Sequence, residues 1–200
     1  MQKLSFPLPQ RPDGIRGRVF GIVMEWLNSP SYRAAFDACD LQPSQRLLEI
    51  GFGTGAFLEL VVKHSPDTSV AGVDPSETMY QVALRRLKKL PDIDLAQIRT
   101  GLDHPLPWPN NAFNVVIAIH SFQFWENPEK SISEICRVLA PGGRLVFVLR
   151  SHPHPPNWLP NPISRSPEEV NELIGLLEQF GLKTIELDPS GSSRIIVAMV

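Results

Sequence analysis

The sequence has little that would tie it to an oxidising compartment or to a membrane. Cys39 and Cys136 are its only cysteines, and they stand too far apart along the chain to suggest a disulfide framework. We expect both to be reduced, small hydrophobic residues. No stretch has the pattern of a signal peptide, and none contains eighteen continuous apolar residues. These absences predict a soluble, cytoplasmic protein without an integral membrane segment.

The sequence also lacks an excess of charge of either sign. Its 19 Lys and Arg residues nearly balance 21 Asp and Glu residues, which leaves a formal net charge of −2. No basic stripe offers a platform for nucleic acid, because the one basic run is expected on the solvated face of a helix: Arg85, Arg86, Lys88 and Lys89. Nucleic acid is therefore not an expected partner. A length of 200 residues with 42% apolar content predicts one globular domain.

What the sequence does contain is an alternation of strand-length apolar runs with helical patterns. Two short N-terminal helices are expected over residues 15–26 and 32–38, and further helices over 54–64 and 77–90. The strand-like runs are "RLLEI", "SVAGVD", "IDLAQI", "FNVVIAI" and "RLVFVLR". Runs as continuously apolar as "NVVIAI" and "RLVFVL" indicate that the centre of the sheet is buried on both faces.

The last two apolar runs differ from the others because only a few residues separate them. "LKTIELD" and "SRIIVAMV" leave no room for a crossover helix, so they predict an antiparallel hairpin. The whole pattern predicts an α/β fold: a Rossmann-like, doubly wound sheet of seven strands, mostly parallel with a C-terminal antiparallel hairpin, and helices on both faces.

A glycine-rich turn follows the first predicted strand and has two interpretations. Gly51, Gly53 and Ala56 match the phosphate-binding fingerprint of dinucleotide enzymes. Glu49 followed by Gly51, Gly53 and Gly55 instead indicates a cofactor without a phosphate. Either ligand would lie beyond the carboxyl ends of the strands.

Three observations favour the second interpretation. Glu49 is a poor neighbour for a pyrophosphate but suits a cofactor that carries an ammonium and a sulfonium. The terminal hairpin takes the place of a second mononucleotide-binding half, and no Tyr-x-x-x-Lys pair is present. Asp74, at the end of the second strand, suits the ribose of either cofactor. An NAD(P)-binding oxidoreductase remains the less favoured alternative.

The ordered motifs "LLEIGFGTG", "GVDPSETM", "LPWPNNAFNVVIAI" and "EICRVLAPGGRLVFV" resemble those of class I S-adenosylmethionine-dependent methyltransferases. The branch they resemble most is the small-molecule one that includes ubiquinone and menaquinone methyltransferases. The resemblance implies S-adenosylmethionine as cofactor and transfer of its methyl group to a small-molecule acceptor by in-line substitution. It further implies one domain over 1–200, with an N-terminal helical lid or brace at 1–41 and a cofactor-binding core at 42–200. A non-catalytic S-adenosylmethionine-binding protein is the alternative, and no oligomeric state follows.

The resemblance also implies a set of cofactor-binding residues. The glycine turn would frame the methionine part, Asp74 would accept hydrogen bonds from the ribose hydroxyls, and Pro75 and Met79 would pack near adenine. The full set is Glu49, Gly51, Phe52, Gly53, Thr54, Gly55, Asp74, Pro75, Met79, Leu102, Asp103 and Ile119.

Two positions depart from the family pattern. Leu102 stands where the family carries an acid over the adenine amino group, and Asp103 follows one place later. Either the backbone shifts so that Asp103 serves, or main-chain groups and packing hold adenine. Asn114 replaces the usual acid at the opening of the fourth strand, which keeps a hydrogen-bonding residue but removes its charge.

The segment after the fourth strand supplies the candidates for catalysis. His120 is either a general base or a hydrogen-bonded wall residue. Gln123 either orients the acceptor or makes a helix-entry hydrogen bond. The neighbouring aromatic residues either form an apolar acceptor pocket or pack beneath the next helix: Phe122, Phe124 and Trp125.

A Pro-rich loop after the fifth strand carries His152 and His154. With no third ligand in the pattern, a solvent-facing lid segment is a better interpretation than a metal pair. No metal is expected.

Overall fold

Seven strands form one sheet in the order β3-β2-β1-β4-β5-β7-β6. The computed structural model describes residues 14–150, 166–187 and 193–200. The strands of the sheet are β1 Arg46–Ile50, β2 Ser69–Asp74, β3 Ile98–Thr100, β4 Phe113–Ile119, β5 Leu139–Arg150, β6 Lys183–Leu187 and β7 Ser193–Met199. The pairs from β3 to β5 are parallel, whereas β7 is antiparallel to both β5 and β6. The predicted sheet and terminal hairpin are confirmed.

Helices cover both faces of the sheet. They are α1 Gly14–Cys39, α2 Ala56–His64, α3 Glu77–Leu87, α4 Pro128–Val138 and α5 Pro167–Gln179. One apolar layer joins the sheet to α1, α2 and α3, and a second joins it to α4 and α5. Side-chain caps mark several helix starts, such as the capping box between Ser166 and Glu169 at α5. Among the described residues, no helix combines the length and the apolar character that crossing a bilayer requires.

The N-terminal region is one continuous helix, so the prediction of two short helices is wrong. Pro30 lies inside α1 and has no N–H for the carbonyl of Trp26, four residues earlier. The Oγ of Ser29 donates to that carbonyl at 2.9 Å. The side chain thus replaces the lost backbone hydrogen bond, and the helix continues through the proline.

The third strand also differs from its prediction. Most of "IDLAQI" is not a strand, because residues Leu95–Gln97 form a 3-10 turn and β3 begins only at Ile98. The Asp94 side chain accepts hydrogen bonds from the Ala96 N–H at 3.0 Å and from the Gln97 amide at 3.1 Å. These local bonds favour a turn over an extended strand.

The order of the strands reverses between β1 and β4, which are neighbours in the sheet but not along the chain. Their carboxyl ends lie side by side at this point. In open α/β sheets a crevice at such a reversal is the usual place for a ligand. The fold therefore brings the glycine turn after β1 next to the segment that follows β4.

Candidate functional site

A cavity of about 480 Å³ lies at this reversal, within the size range of small-molecule pockets. Its walls come from the carboxyl ends of β1, β2, β4 and β5 and from α1. Of the predicted cofactor residues only Gly55 is not part of the wall, and both catalytic candidates belong to it. The predicted residues that line the cavity are Glu49, Gly51, Phe52, Gly53, Thr54, Asp74, Pro75, Met79, Leu102, Asp103, Ile119, His120 and Gln123.

The glycines of the turn all have positive φ, but their surroundings differ. A Cβ on Gly51 would lie 2.4 Å from the Ser121 Cβ, and one on Gly55 would lie 2.9 Å from the Ala83 Cβ. A Cβ on Gly53 would meet no atom within 4 Å. Close packing thus requires glycine at positions 51 and 55, whereas Gly53 faces the open space of the cavity.

Two buried acids lie at the cofactor end of the cavity. Glu49 is 3% exposed, and its Oε2 has no hydrogen-bond partner among the described residues. Burial, and then the charge of Asp74, raise the pKa of Glu49 well above its usual value. Asp74 accepts hydrogen bonds from the N–H groups of Gly53 at 2.8 Å and Ser76 at 2.9 Å. Burial raises the pKa of Asp74 to about 6, although these two hydrogen bonds act to lower it.

Helix α1 forms one wall of the cavity and is attached to the glycine turn. The Thr54 Oγ1 donates to a carboxylate oxygen of Glu25 at 2.6 Å, and the Arg86 guanidinium pairs with the same carboxylate at 3.0 Å. A Cβ on Gly21 would lie only 2.7 Å from the Met79 Sδ, so α1 also lies close against α3. These contacts are compatible with both roles predicted for the N-terminal segment, a lid or a brace.

The two family departures lie in different places. Leu102 lines the cavity with 51% of its surface exposed. The Asp103 Oδ2 accepts a short hydrogen bond from the Ser131 Oγ and lies 3.1 Å from the His104 Nδ1. Asn114 does not line the cavity, and its Oδ1 accepts a hydrogen bond from the Arg46 N–H at 3.0 Å. Its amide therefore stabilises the start of β1.

His120 follows β4 in a left-handed conformation, with φ 50°, which is uncommon for residues other than glycine. The side chain is 7% exposed, and neither ring nitrogen has a hydrogen-bond partner within the described ranges. Burial, and then the nearby Arg150 guanidinium, lower the pKa of His120 to about 3. The ring is therefore neutral at pH 7. The Gln123 amide donates to the carbonyl of His120, which is the helix-entry hydrogen bond considered for this position.

The aromatic residues after β4 were expected either to form an apolar pocket or to pack in the core, and the structure shows both arrangements. Phe122 is buried and packs edge-on against Trp125 and Phe147, with ring centroids 5.3 and 5.4 Å apart. Phe124 and Trp125 line the cavity. The segment thus anchors itself in the core and gives the cavity an apolar wall.

His152 and His154 lie outside the described residues. The two interpretations of that loop, a lid segment and a metal pair, therefore stay predictions. Within the described ranges, no group of three or more His, Cys, Asp or Glu side chains is arranged to hold a metal ion.

A family model described as a methyltransferase domain matches residues 48–147, which is half of the chain. The chain belongs to this family. The methyltransferase is 25% identical over 173 residues to the uncharacterized methyltransferase YdaC of Bacillus subtilis, covering 84% of the chain and 88% of that protein. It is 35% identical over 113 residues to demethylmenaquinone methyltransferase of Symbiobacterium thermophilum, covering 56% of the chain and 45% of that enzyme. The chain therefore spans about half the length of this second relative.

Solved structures show the same fold. A crystal structure of an S-adenosylmethionine-dependent methyltransferase from Aquifex aeolicus has a TM-score of 0.74 at 20% identity. The match covers 90% of the present chain and 98% of that one. The resemblance drawn from the sequence motifs is confirmed: the protein is an S-adenosylmethionine-dependent methyltransferase with a Rossmann-like fold.

The residues of the cavity fit S-adenosylmethionine. The unpartnered Oε2 of Glu49 is a buried acceptor near the turn, where the cofactor's ammonium could serve as its donor. Gly53 leaves open space in which a ligand can approach the main chain closely. The cavity is also open beside His120, which counts against the non-catalytic alternative.

The family resemblance implied an N-terminal lid or brace, and α1 does form part of the wall, but sequence reasoning missed Glu25 and the end of β5. Glu25, Asn28 and Arg150 all line the cavity but belong to no motif. One signal was available for Arg150, because it is a charged residue directly after the apolar run "LVFVL". No comparable signal singles out Glu25 within α1, whereas Asn28 belongs to the helix that resembles a lid of this fold.

Proposed function

We propose that this methyltransferase transfers the methyl group of S-adenosylmethionine to a small-molecule acceptor, by in-line substitution within the cavity. The observation that carries the proposal is that one cavity joins the glycine turn and Asp74 to the segment after β4. Direct transfer requires that cofactor and acceptor bind in the same cavity, because the reacting atoms must be held in line.

For the cofactor we propose the roles that the family resemblance implies. The main chain from Gly51 to Thr54 frames the methionine part, and Glu49 faces its ammonium. The Asp74 carboxylate accepts hydrogen bonds from the ribose hydroxyls, for which its low exposure and ordered position are suited. Pro75, Met79 and Leu102 pack against adenine.

For the acceptor we propose that the protein contributes position and exclusion of water. The bound cofactor supplies an electrophilic methyl on a sulfonium. Phe124 and Trp125 offer an apolar wall, and Ile119 closes the floor beside them. His120 is neutral, and its unpartnered ring nitrogens are suited to hydrogen bonding an acceptor group rather than to strong base catalysis.

Calorimetric titration of the purified protein with S-adenosylmethionine and S-adenosylhomocysteine tests the cofactor part. We expect both to bind, and Asp74→Ala to weaken binding by about 1.5–3 kcal/mol, the value of a hydrogen bond to a charged group. Asp67→Ala, at an exposed acid remote from the cavity, is the control and should bind as the wild type does. Absence of binding of both compounds to the wild type would contradict the proposal.

Incubation with methyl-labelled cofactor tests the acceptor part. We expect label to move to compounds in a library of small hydroxyl, amine, carboxylic acid and quinol acceptors, detected by mass spectrometry. Transfer to nucleic acid or protein alone would refute a small-molecule acceptor while leaving the cofactor assignment intact.

A further inference from the structure

Arg150 ends β5 and places a charged group in the wall of the cavity. Its side chain is partly buried, and its Nη2 donates to the Asn28 Oδ1 at 2.9 Å. Among the described residues it forms no ion pair with a carboxylate. A guanidinium has five N–H donors in a planar fork that matches the two oxygens of a carboxylate. Within the described ranges, the bond to Asn28 is the one hydrogen bond that these donors make.

Arg144, on the same strand, shows the usual arrangement. Its guanidinium lies 2.8 Å from the Asp40 carboxylate and donates to the Ala38 carbonyl at 3.1 Å. Arg144 does not line the cavity. The two arginines differ, therefore, in that the one facing the cavity has no carboxylate partner from the described part of the chain.

His120 provides a second, independent observation at the same place. Its ring is more than nine-tenths buried, lines the cavity, and has both nitrogens unpartnered within the described ranges. Buried polar groups without partners are rare in native proteins, and a catalytic role or a bound water or ion is an accepted reason for them. A neutral imidazole carries one N–H, which can donate to an anionic oxygen.

The wall of the cavity carries charges of both signs. Glu49, Asp74 and Glu25 cluster around the glycine turn, through Asp74 bound to Gly53 and Glu25 bound to Thr54. Arg150 lies near His120, and among the described residues that line the cavity it is the one Lys or Arg. Coulomb attraction and repulsion therefore favour an anion at Arg150 and disfavour one at the turn. Glu126 also lines the cavity, but it is exposed and forms no ion pair with Arg150.

We propose that Arg150 and His120 form a binding site for the carboxylate of the methyl acceptor, with Asn28 holding the guanidinium in position. This inference rests on the proposed function and specifies the acceptor as a small carboxylic acid with an apolar body, which Phe124 and Trp125 contact. The cofactor's own methionine part also carries a carboxylate, so the experiment must separate the two sources.

The test uses benzoate as an acceptor-like probe and benzamide as its uncharged match. Each is titrated calorimetrically into wild-type protein saturated with S-adenosylhomocysteine, and then into Arg150→Met, Arg150→Lys and the control Arg144→Met. We expect benzoate to bind the wild type at least five-fold more tightly than benzamide. Arg150→Met should abolish this preference, Arg150→Lys should retain part of it, and Arg144→Met should retain all of it.

A separate titration assigns the source of the carboxylate. We expect Arg150→Met to bind S-adenosylhomocysteine within about three-fold of the wild type. A loss of ten-fold or more, with unchanged binding of methylthioadenosine, which lacks the methionine carboxylate, would assign Arg150 to the cofactor and overturn the proposal.

The remaining outcomes are also decisive. Equal binding of benzoate and benzamide by the saturated wild type, or loss of the preference in Arg144→Met as well, would overturn the acceptor site. Failure of the wild type to bind S-adenosylhomocysteine at all would instead refute the proposed function on which the inference depends. Thermal unfolding of each variant, with and without the cofactor product, shows whether a loss of binding reflects a loss of folding.

Discussion

At the scale of single residues, the glycines of the turn differ in how closely neighbouring atoms approach them. Gly53 and Gly55 both have positive φ, so alanine at either position costs about 1–2 kcal/mol of backbone strain. Only at Gly55 would the new methyl group also collide with a neighbour, the Cβ of Ala83 at 2.9 Å. The same substitution is therefore expected to have different effects two residues apart.

We predict that Gly53→Ala lowers affinity for S-adenosylhomocysteine ten-fold or more. It should lower the free energy of unfolding only by the backbone strain of about 1–2 kcal/mol. Gly55→Ala should lower the free energy of unfolding further, by about 2–4 kcal/mol, because overpacking adds to strain. Calorimetry and urea unfolding measure the two quantities. If Gly55→Ala proved as stable as Gly53→Ala, the packing role assigned to Gly55 would be wrong.

His120 makes the stability of the fold depend on pH. Its pKa is lowered to about 3, whereas an unfolded histidine has a pKa of about 6.5. Between these values the unfolded state binds a proton that the folded state does not, so stability falls as the pH falls from 6.5 towards 3. Asp74 acts in the opposite sense, because its folded pKa of about 6 lies above the unfolded value and its contribution is lost as the pH rises through 6.

We predict that His120→Asn removes the first contribution and leaves the second. Asparagine tolerates the positive φ at this position. Relative to the variant, the wild type should lose about 2–3 kcal/mol more of its free energy of unfolding between pH 7 and pH 4. Urea unfolding across this range measures the difference, with His64→Asn, at an exposed histidine, as the control. Parallel pH profiles for wild type and His120→Asn would mean that the ring is not buried as a neutral group.

At the scale of elements, α1 forms one wall of the cavity and is attached to the glycine turn. Its attachment depends on Glu25, which accepts a hydrogen bond from Thr54 and pairs with Arg86. The Glu25 and Arg86 side chains are about one-quarter exposed, so solvent screening limits the contribution of their ion pair to global stability to roughly 1 kcal/mol. Their effect on the position of α1 can be larger than their effect on unfolding.

We predict that Glu25→Ala weakens S-adenosylhomocysteine binding about three- to ten-fold and speeds amide hydrogen exchange in α1, with a stability loss of at most about 1 kcal/mol. Asp37→Ala removes an exposed ion pair with Arg33 on the same helix and should change neither cofactor affinity nor exchange. Unchanged affinity in Glu25→Ala would indicate that α1 does not depend on this contact for its position over the turn.

The elements also show why some sequence predictions were wrong. Two helices were expected on either side of Pro30, but a hydroxyl one residue earlier satisfies the carbonyl that the proline leaves unpaired. Asp94 was expected inside a strand, but its side chain stabilises a turn. In both cases one or two local side-chain hydrogen bonds outweighed a pattern that was read over many residues.

At the scale of the whole molecule, the alternation of apolar runs determined the sheet by itself. Burial on both faces makes the central runs of β4 and β5 continuously apolar, and the short connection before β7 permits only an antiparallel return. The motif order likewise identified the cofactor class, since Glu49, the glycines and Asp74 all lie within local segments. The physical reason is that these features depend on periodicity and on short-range spacing.

What only the tertiary structure decided is how distant segments share one cavity. Arg150 and Asn28 are 122 positions apart, and no local pattern relates them. They meet because α1 packs across the carboxyl ends of the strands, on the face that it shares with α2 and α3. The sequence thus determined the sheet and the glycine turn through local periodicity and spacing, while the packing of α1 against the sheet decided which of its charged and polar groups line the cavity.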